Sequence, residues 1–112
     1  MIRIGRHAVS YHFRIYLGTS FQSVFKLFKD ELPVSRESQW IVKDILVSEA
    51  TKNYVLRSKT GMASKIGWWV GWVETDDDVY FFACNIDLRQ ERNIGDRINV
   101  SRKILAAENI LL

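Results

Sequence analysis

The sequence predicts an α+β fold: two helices, a three-stranded antiparallel meander, and a C-terminal helix packed on the sheet. Three observations carry this. Residues 20–29, "SFQSVFKLFK", place Phe21, Val24, Phe25 and Phe28 at i, i+3, i+4 and i+7, one face of a helix. Residues 53–59, 67–74 and 79–87 are rich in β-branched and aromatic residues, and the turn-prone "TGMASKI" and "TDDD" separate them. After a loop at 88–95 the spacing becomes helical again, with Val100, Ile104, Ala107 and Leu111 on one face.

Taken in order, residues 1–18 show no clean periodicity and form an unassigned basic stretch; a partial domain spans 19–112. "DELP" ends the first helix, because the residue before Pro33 is pushed out of helical geometry. Ser35 is an N-cap candidate, with Glu37 favourably placed in the first turn. The second helix runs to about Ser48, with an apolar face of Ile41, Val42, Ile45 and Leu46. Asp96 is placed to cap the last helix, whose apolar face meets the sheet. Trp68, Trp69, Trp72, Tyr80, Phe81 and Phe82 put large apolar groups on both faces of the strands, the pattern of a sheet at the centre of a layered fold. Two helices hardly cover both faces and leave no open edge, so the chain reads as a piece of a larger domain.

Composition narrows the function. The formal net charge is +3, but residues 1–29 hold five basic side chains and no acid, while the rest holds eleven basic residues against thirteen acids. A slightly acidic body is a poor footprint for phosphates, so no nucleic-acid partner is expected. No apolar run reaches membrane-spanning length, and no membrane association is expected. Arginines and histidines interrupt every apolar stretch near the N-terminus, which excludes a secretory signal there and points to the cytoplasm for the chain as given. Cys84 is the single cysteine, so internal disulfides and Cys-cluster metal sites are excluded. His7 and His12 lack the partners a metal site needs, and Asp76, Asp77 and Asp78 fall where a hairpin turn is required; no metal is expected. Cys84, flanked by apolar residues in a strand, reads as a buried small hydrophobe.

One stretch stands apart: "SKTGMASKIGWWVGWVE", Ser58 to Glu74, sets a Lys-Thr-Gly triplet just ahead of the tryptophan-rich strand. Such a triplet after a strand is one element of the active-site serine β-lactamase and penicillin-binding protein signature. Together with "ELPVSRESQWIVKDILVSE", "YVLRSKTG", "KIGWWVGWVE" and "VYFFACNID", it makes the chain resemble the C-terminal part of a class D (OXA-type) β-lactamase. The resemblance covers roughly residues 20–112, and the link between triplet and tryptophans is short for such enzymes. It implies the C-terminal part of a β-lactamase/transpeptidase-like fold, a β-lactam (penicillin-like) ligand and no cofactor. It also implies a periplasmic or secreted parent.

What the resemblance implies residue by residue can be weighed chemically. Lys59 would present an ammonium to the cleft and polarise the network around a nucleophile. The Thr60 hydroxyl would donate to a substrate carboxylate, and Gly61, with no side chain, would let substrate lie along the strand. The backbone N–H of Met62 would form half an oxyanion hole, aimed at charge that develops in the transition state. Arg97 falls where the family carries an arginine that pairs with the β-lactam carboxylate, a task suited to a guanidinium fork; a solvated arginine in the first turn of the last helix is the competing reading. Trp68, Trp69 and Trp72 read mostly as core, with one of them a candidate for the cleft wall.

The family's nucleophile has no counterpart here. The single S-x-x-K match is "SVFK", Ser23 to Lys26, in the helix leading into "DELP", and it reads as an ordinary amphipathic segment. No Ser-x-Val occurs. The expectation is a C-terminal fragment, inactive alone and requiring a complementary N-terminal chain. The alternative parent is a penicillin-sensing receptor domain that is acylated without turnover.

Overall fold

The computed structural model of the chain describes residues 2–6, 19–88 and 93–112. Eight elements follow one another: β1 (Ile2–Arg6), α1 (Thr19–Phe28), α2 (Arg36–Ile45), β2 (Val47–Ala50), β3 (Tyr54–Ala63), β4 (Ile66–Thr75), β5 (Val79–Asp87) and α3 (Asp96–Ala107). The strands form one sheet in the order β1-β5-β4-β3-β2, and every neighbouring pair is antiparallel. The predicted meander β3-β4-β5 is the centre of that sheet. Two short strands that the periodicity missed extend it at its edges: β1, from the stretch left unassigned, and β2, from what was read as the end of the second helix. Among the described residues no helix is long and apolar enough to cross a membrane.

Alternation along the strands sorts the aromatic residues into two cores. Tyr54, Leu56, Trp69, Val73, Phe82 and Cys84 pack with Leu105 and Ile110 on the face covered by α3. Val70, Trp72, Phe81 and Ala83 pack with Leu27, Val24, Phe25 and Phe28 on the face covered by α1. The two-residue period explains why adjacent Phe81 and Phe82 are both buried, on opposite faces. Edge-to-face contacts join the helix to the sheet: Phe25 to Phe81 with centroids 5.0 Å apart, and Phe28 to Trp72 at 5.7 Å. Cys84 is buried in the first core, as expected of a small hydrophobe.

The helices correct three expectations. α2 begins on the Ser35 cap, whose side chain accepts from the Ser38 N–H at 3.1 Å, but its apolar face does not meet the sheet. Ile41, Val42 and Ile45 are exposed, because α1 already covers that face of the sheet; the buried residue of α2 is Gln39. Gln39 accepts from Leu32 N and donates to Val34 O, both at 3.0 Å, satisfying the turn around Pro33 from within. α3 is capped by Gly95 with no side-chain bond, and Asp96 is instead the first helical residue. Its buried face is Ser101 and Leu105, not Val100 and Ala107, which are exposed. Ser101 tolerates the interior because its hydroxyl donates to Arg97 O at 2.6 Å, four residues back.

The β3–β4 connection is tighter than the predicted turn over residues 60–66. The ladder runs in register to Ala63↔Ile66, and Ser64 and Lys65 alone make the turn, with φ of 50° and 60°. Positive φ at both central residues is the type I′ geometry that matches strand twist. Lys59 to Met62 therefore lie within a rigid strand, not at its end. Asp76, Asp77 and Asp78 fall in the β4–β5 turn, where Asp78 N donates to Thr75 Oγ1 at 3.1 Å. His7 and His12 lie outside the described residues.

Candidate functional site

Strand β3 presents its chemistry at an unpaired edge. β2 pairs with it only across Val55–Arg57, and the Ser58 N–H reaches Leu46 O at 2.9 Å. By the two-residue period, the N–H groups of Thr60 and Met62 point the same way as that of Ser58, to the side that β2 no longer covers. The Met62 side chain is itself exposed.

The triplet divides between the two faces of the sheet. Lys59 pairs with Val70 and Gly61 with Trp68, which belong to the α1 face, whereas Thr60 pairs with Trp69 of the α3 face. On the α1 side a cleft of about 540 Å³ is lined by α1 (Val24, Leu27), by α2 and the residue after it (Val42, Leu46), and by Lys59 and Trp68. Trp68 is thus the tryptophan on the cleft wall, while Trp69 and Trp72 are buried core. The exposed Lys59 ammonium donates to Thr60 O at 2.7 Å.

On the opposite face α3 delivers Arg97, whose Nη1 donates to Gly61 O at 3.1 Å. Its Nε is buried without a hydrogen-bond partner. Gly67 lies beside this approach: a Cβ there would stand in ordinary contact, 3.5 Å from Arg97 Cδ and 3.4 Å from Ile86 Cγ1, and a longer side chain would compete with the arginine stem. Sequence reasoning missed Gly67 because a lone glycine in a strand has many causes; its position opposite Met62 shows the reason. Arg97 is thus brought to Gly61 from the α3 side, whereas Lys59 faces the cleft on the α1 side.

Neighbouring ion pairs hold the frame. Arg57 donates from Nε to Glu74 Oε1 at 3.1 Å and from Nη1 to Lys43 O at 2.7 Å, tying β3 to β4 and to α2. Trp72 Nε1 donates to the same Glu74 oxygen at 2.8 Å. At the C-terminus of α1, Lys43 pairs with Asp30 at 2.7 Å, and that ammonium holds the Asp30 carboxyl below its ordinary range. Ser23 and Lys26 lie in α1, and Lys26 is exposed. Among the described residues no cluster of His, Cys, Asp and Glu has the makings of a metal site.

Comparison with known proteins identifies the family. Residues 16–106 match the penicillin-binding protein transpeptidase domain family. The OXA-48 β-lactamase of Klebsiella pneumoniae is 44% identical over 90 residues, covering 77% of this chain and 34% of that protein. The OXA-2 β-lactamase of Salmonella typhimurium is 52% identical over 62 residues, covering 55% and 22%. Among solved structures, the class D β-lactamase YbXI from Nostoc has a TM-score of 0.72 at 42% identity, covering 80% of this chain and 39% of that one. FUS-1 (OXA-85), a class D β-lactamase from Fusobacterium nucleatum subsp. polymorphum, has a TM-score of 0.73 at 33% identity, covering 81% and 40%. The chain spans about a third of the length of the curated relatives it matches. By family match, identity and fold, the chain belongs to the penicillin-binding protein transpeptidase family and falls within it among the class D (OXA-type) β-lactamases.

Proposed function

We propose that this chain is a C-terminal portion of a class D β-lactamase that supplies the substrate-binding strand and carboxylate anchor, and that it does not hydrolyse β-lactams alone. The observation that carries this reading is the approach of Arg97 to Gly61 O, on the strand whose Thr60 and Met62 N–H groups lie on the side that β2 leaves open. An anionic acyl ligand lying along that edge meets two main-chain donors, a threonine hydroxyl and a guanidinium. The Nε of Arg97, buried and unpartnered, still has a proton to give.

In the parent reaction a serine oxygen attacks the β-lactam carbonyl carbon, the ring C–N bond breaks, and the ring nitrogen takes a proton; water then hydrolyses the acyl-enzyme. The Met62 N–H donates to the oxygen that gains charge during both attacks. Lys59 contributes positive charge beside the nucleophile. Thr60 and Arg97 hold the substrate carboxylate, fixing the carbonyl over the Met62 donor. The attacking serine would come from a complementary N-terminal chain. The apolar residues of α2 that face outward, Trp40, Ile41 and Ile45, adjoin the cleft through Val42 and Leu46, which suits a surface awaiting such a partner.

Incubation with a chromogenic cephalosporin tests the proposal. The pure chain is expected to give no turnover. Adding a separately expressed N-terminal portion of a class D enzyme is expected to produce turnover that Lys59→Ala abolishes. Turnover by the chain alone, lost in Lys59→Ala, would overturn the reading. Stoichiometric acylation of the mixed complex without turnover would favour the penicillin-sensing parent.

A further inference from the structure

Ser48 and Ser58 carry two hydroxyls that the proposed chemistry does not use, and they meet where β2 stops covering β3. β2 pairs Val47 with Arg57 and then Glu49 with Leu56, so Ser48 is one residue more than β3 can oppose. A bulge of this kind re-aims a side chain and ends a ladder. Here the re-aimed group is the Ser48 hydroxyl, which hydrogen-bonds the hydroxyl of Ser58, the residue just before the triplet.

The direction of that bond follows from its surroundings. Ser48 Oγ donates to Leu46 O at 3.2 Å, which uses its one proton; between the two serines the Ser58 hydroxyl is therefore the donor. Leu46 O also accepts the Ser58 N–H at 2.9 Å. The three bonds close a ring that holds Ser58 by both its main chain and its side chain. Leu46 is the C-cap of α2 and lines the cleft, so the ring ties the end of that helix to β3. On the other flank, Gly71 lets β4 come so near that a Cβ there would stand 2.8 Å from Ser58 Cα. Ser58 is thus fixed from both sides. The N–H groups of Thr60 and Met62, next in the same direction, are left uncovered by β2.

We propose that Ser48 is a positioning residue for the binding strand: its hydroxyl ends the β2 ladder at Ser58, fixes where the open edge begins, and through Ser58 aims the Met62 N–H. Its effect on turnover rests on the β-lactam reading above; its hold on the strand does not.

Exchange of the Ser58 amide hydrogen, followed by NMR on the whole chain, tests the ring without any ligand. Ser48→Ala and Ser48→Val are expected to speed it at least about tenfold, and Ser48→Thr, which keeps the hydroxyl on a valine-shaped side chain, to restore it. Ser58→Ala should match Ser48→Ala, and the double substitution should add little, because each breaks the same ring. Unchanged exchange in Ser48→Ala, or no rescue by Ser48→Thr, would overturn the ring. Mixed with a separately expressed N-terminal portion of a class D enzyme, Ser48→Ala is expected to lower kcat at least about tenfold with KM within about twofold, since the misaimed donor acts in the transition state. Ser48→Thr should restore kcat. Equal kcat in the Ser48→Ala and unsubstituted complexes would overturn positioning. No turnover from the unsubstituted complex would overturn the β-lactam reading instead, and exchange at Ser58 would still decide the ring.

Discussion

Arg97 and Gly61 meet across the fold: the guanidinium Nη1 on α3 donates to the main-chain oxygen of the glycine in β3 at 3.1 Å. The bond clamps the last helix to the strand that carries the Lys-Thr-Gly triplet, and Gly67 leaves the arginine stem room to pass. A side chain that holds the strand and is proposed to bind ligand has two measurable losses. Arg97→Ala is expected to lower stability by about 1 kcal/mol in urea unfolding, and to weaken β-lactam binding by at least about tenfold. Arg97→Lys should keep the charge but not the fork, recovering stability more than binding. Unchanged binding in both variants would remove Arg97 from the site.

Gly71 has a different constraint. A Cβ built there would lie 2.0 Å from Arg57 O and 2.8 Å from Ser58 Cα, main-chain atoms that cannot turn aside. Gly71→Ala is expected to cost about 2 kcal/mol or more, since β3 must shift away from β4. The same shift would displace Lys59 and Thr60. Urea denaturation measures the loss; a change below about 0.5 kcal/mol would mean that the strands separate easily.

The tryptophans separate by role. Trp72 is fully buried and contacts Phe28 and Phe81, so Trp72→Ala is expected to cost about 3–5 kcal/mol and to abolish cooperative unfolding. Trp68 lines the cleft and is partly exposed. Trp68→Ala should leave the chain folded, within about 1.5 kcal/mol of the parent, while altering the fluorescence response to ligand.

Acid should loosen β2. Glu49 accepts a short hydrogen bond from the Tyr54 hydroxyl and pairs with Arg102 at 2.8 Å, which together hold its carboxyl below the ordinary range. The unfolded chain then binds the proton first as pH falls. This contribution is complete above the ordinary glutamate range, near pH 5 and higher, and is lost as pH falls through the lower folded value. The Tyr54 phenol is pushed up by the same carboxylate and by burial, so its contribution is complete below its ordinary 10.0 and fades as pH climbs through the higher folded value. The urea midpoint should fall less steeply with acid in Glu49→Gln than in the parent. Identical slopes would show that the pair is spent on solvent.

The central meander, the helix at 20–29, the Ser35 cap and the burial of Cys84 were legible because each rests on local pattern: two-residue alternation, helical spacing or a capping side chain. The triplet and its flanks were enough to name the family for the same reason. They are contiguous, and a strand carries them in a straight line.

The faces of α2 and α3 were not legible. Spacing places Ile41 and Ile45 on one side of a helix, but whether that side meets protein depends on what already covers the sheet, and α1 does. Ser101 could take an interior place that spacing gives to an apolar residue because its hydroxyl is satisfied by Arg97 O. The strands β1 and β2 are too short for a period to stand out in the sequence; they form because β5 and β3 offer edges to pair with. The sequence alone therefore offered the candidates for the chemistry: lysine, threonine, glycine, a main-chain donor and arginine. Only the tertiary structure decided that Arg97 reaches Gly61, through the packing of a helix on a sheet, a contact between residues far apart in the chain that no local period encodes.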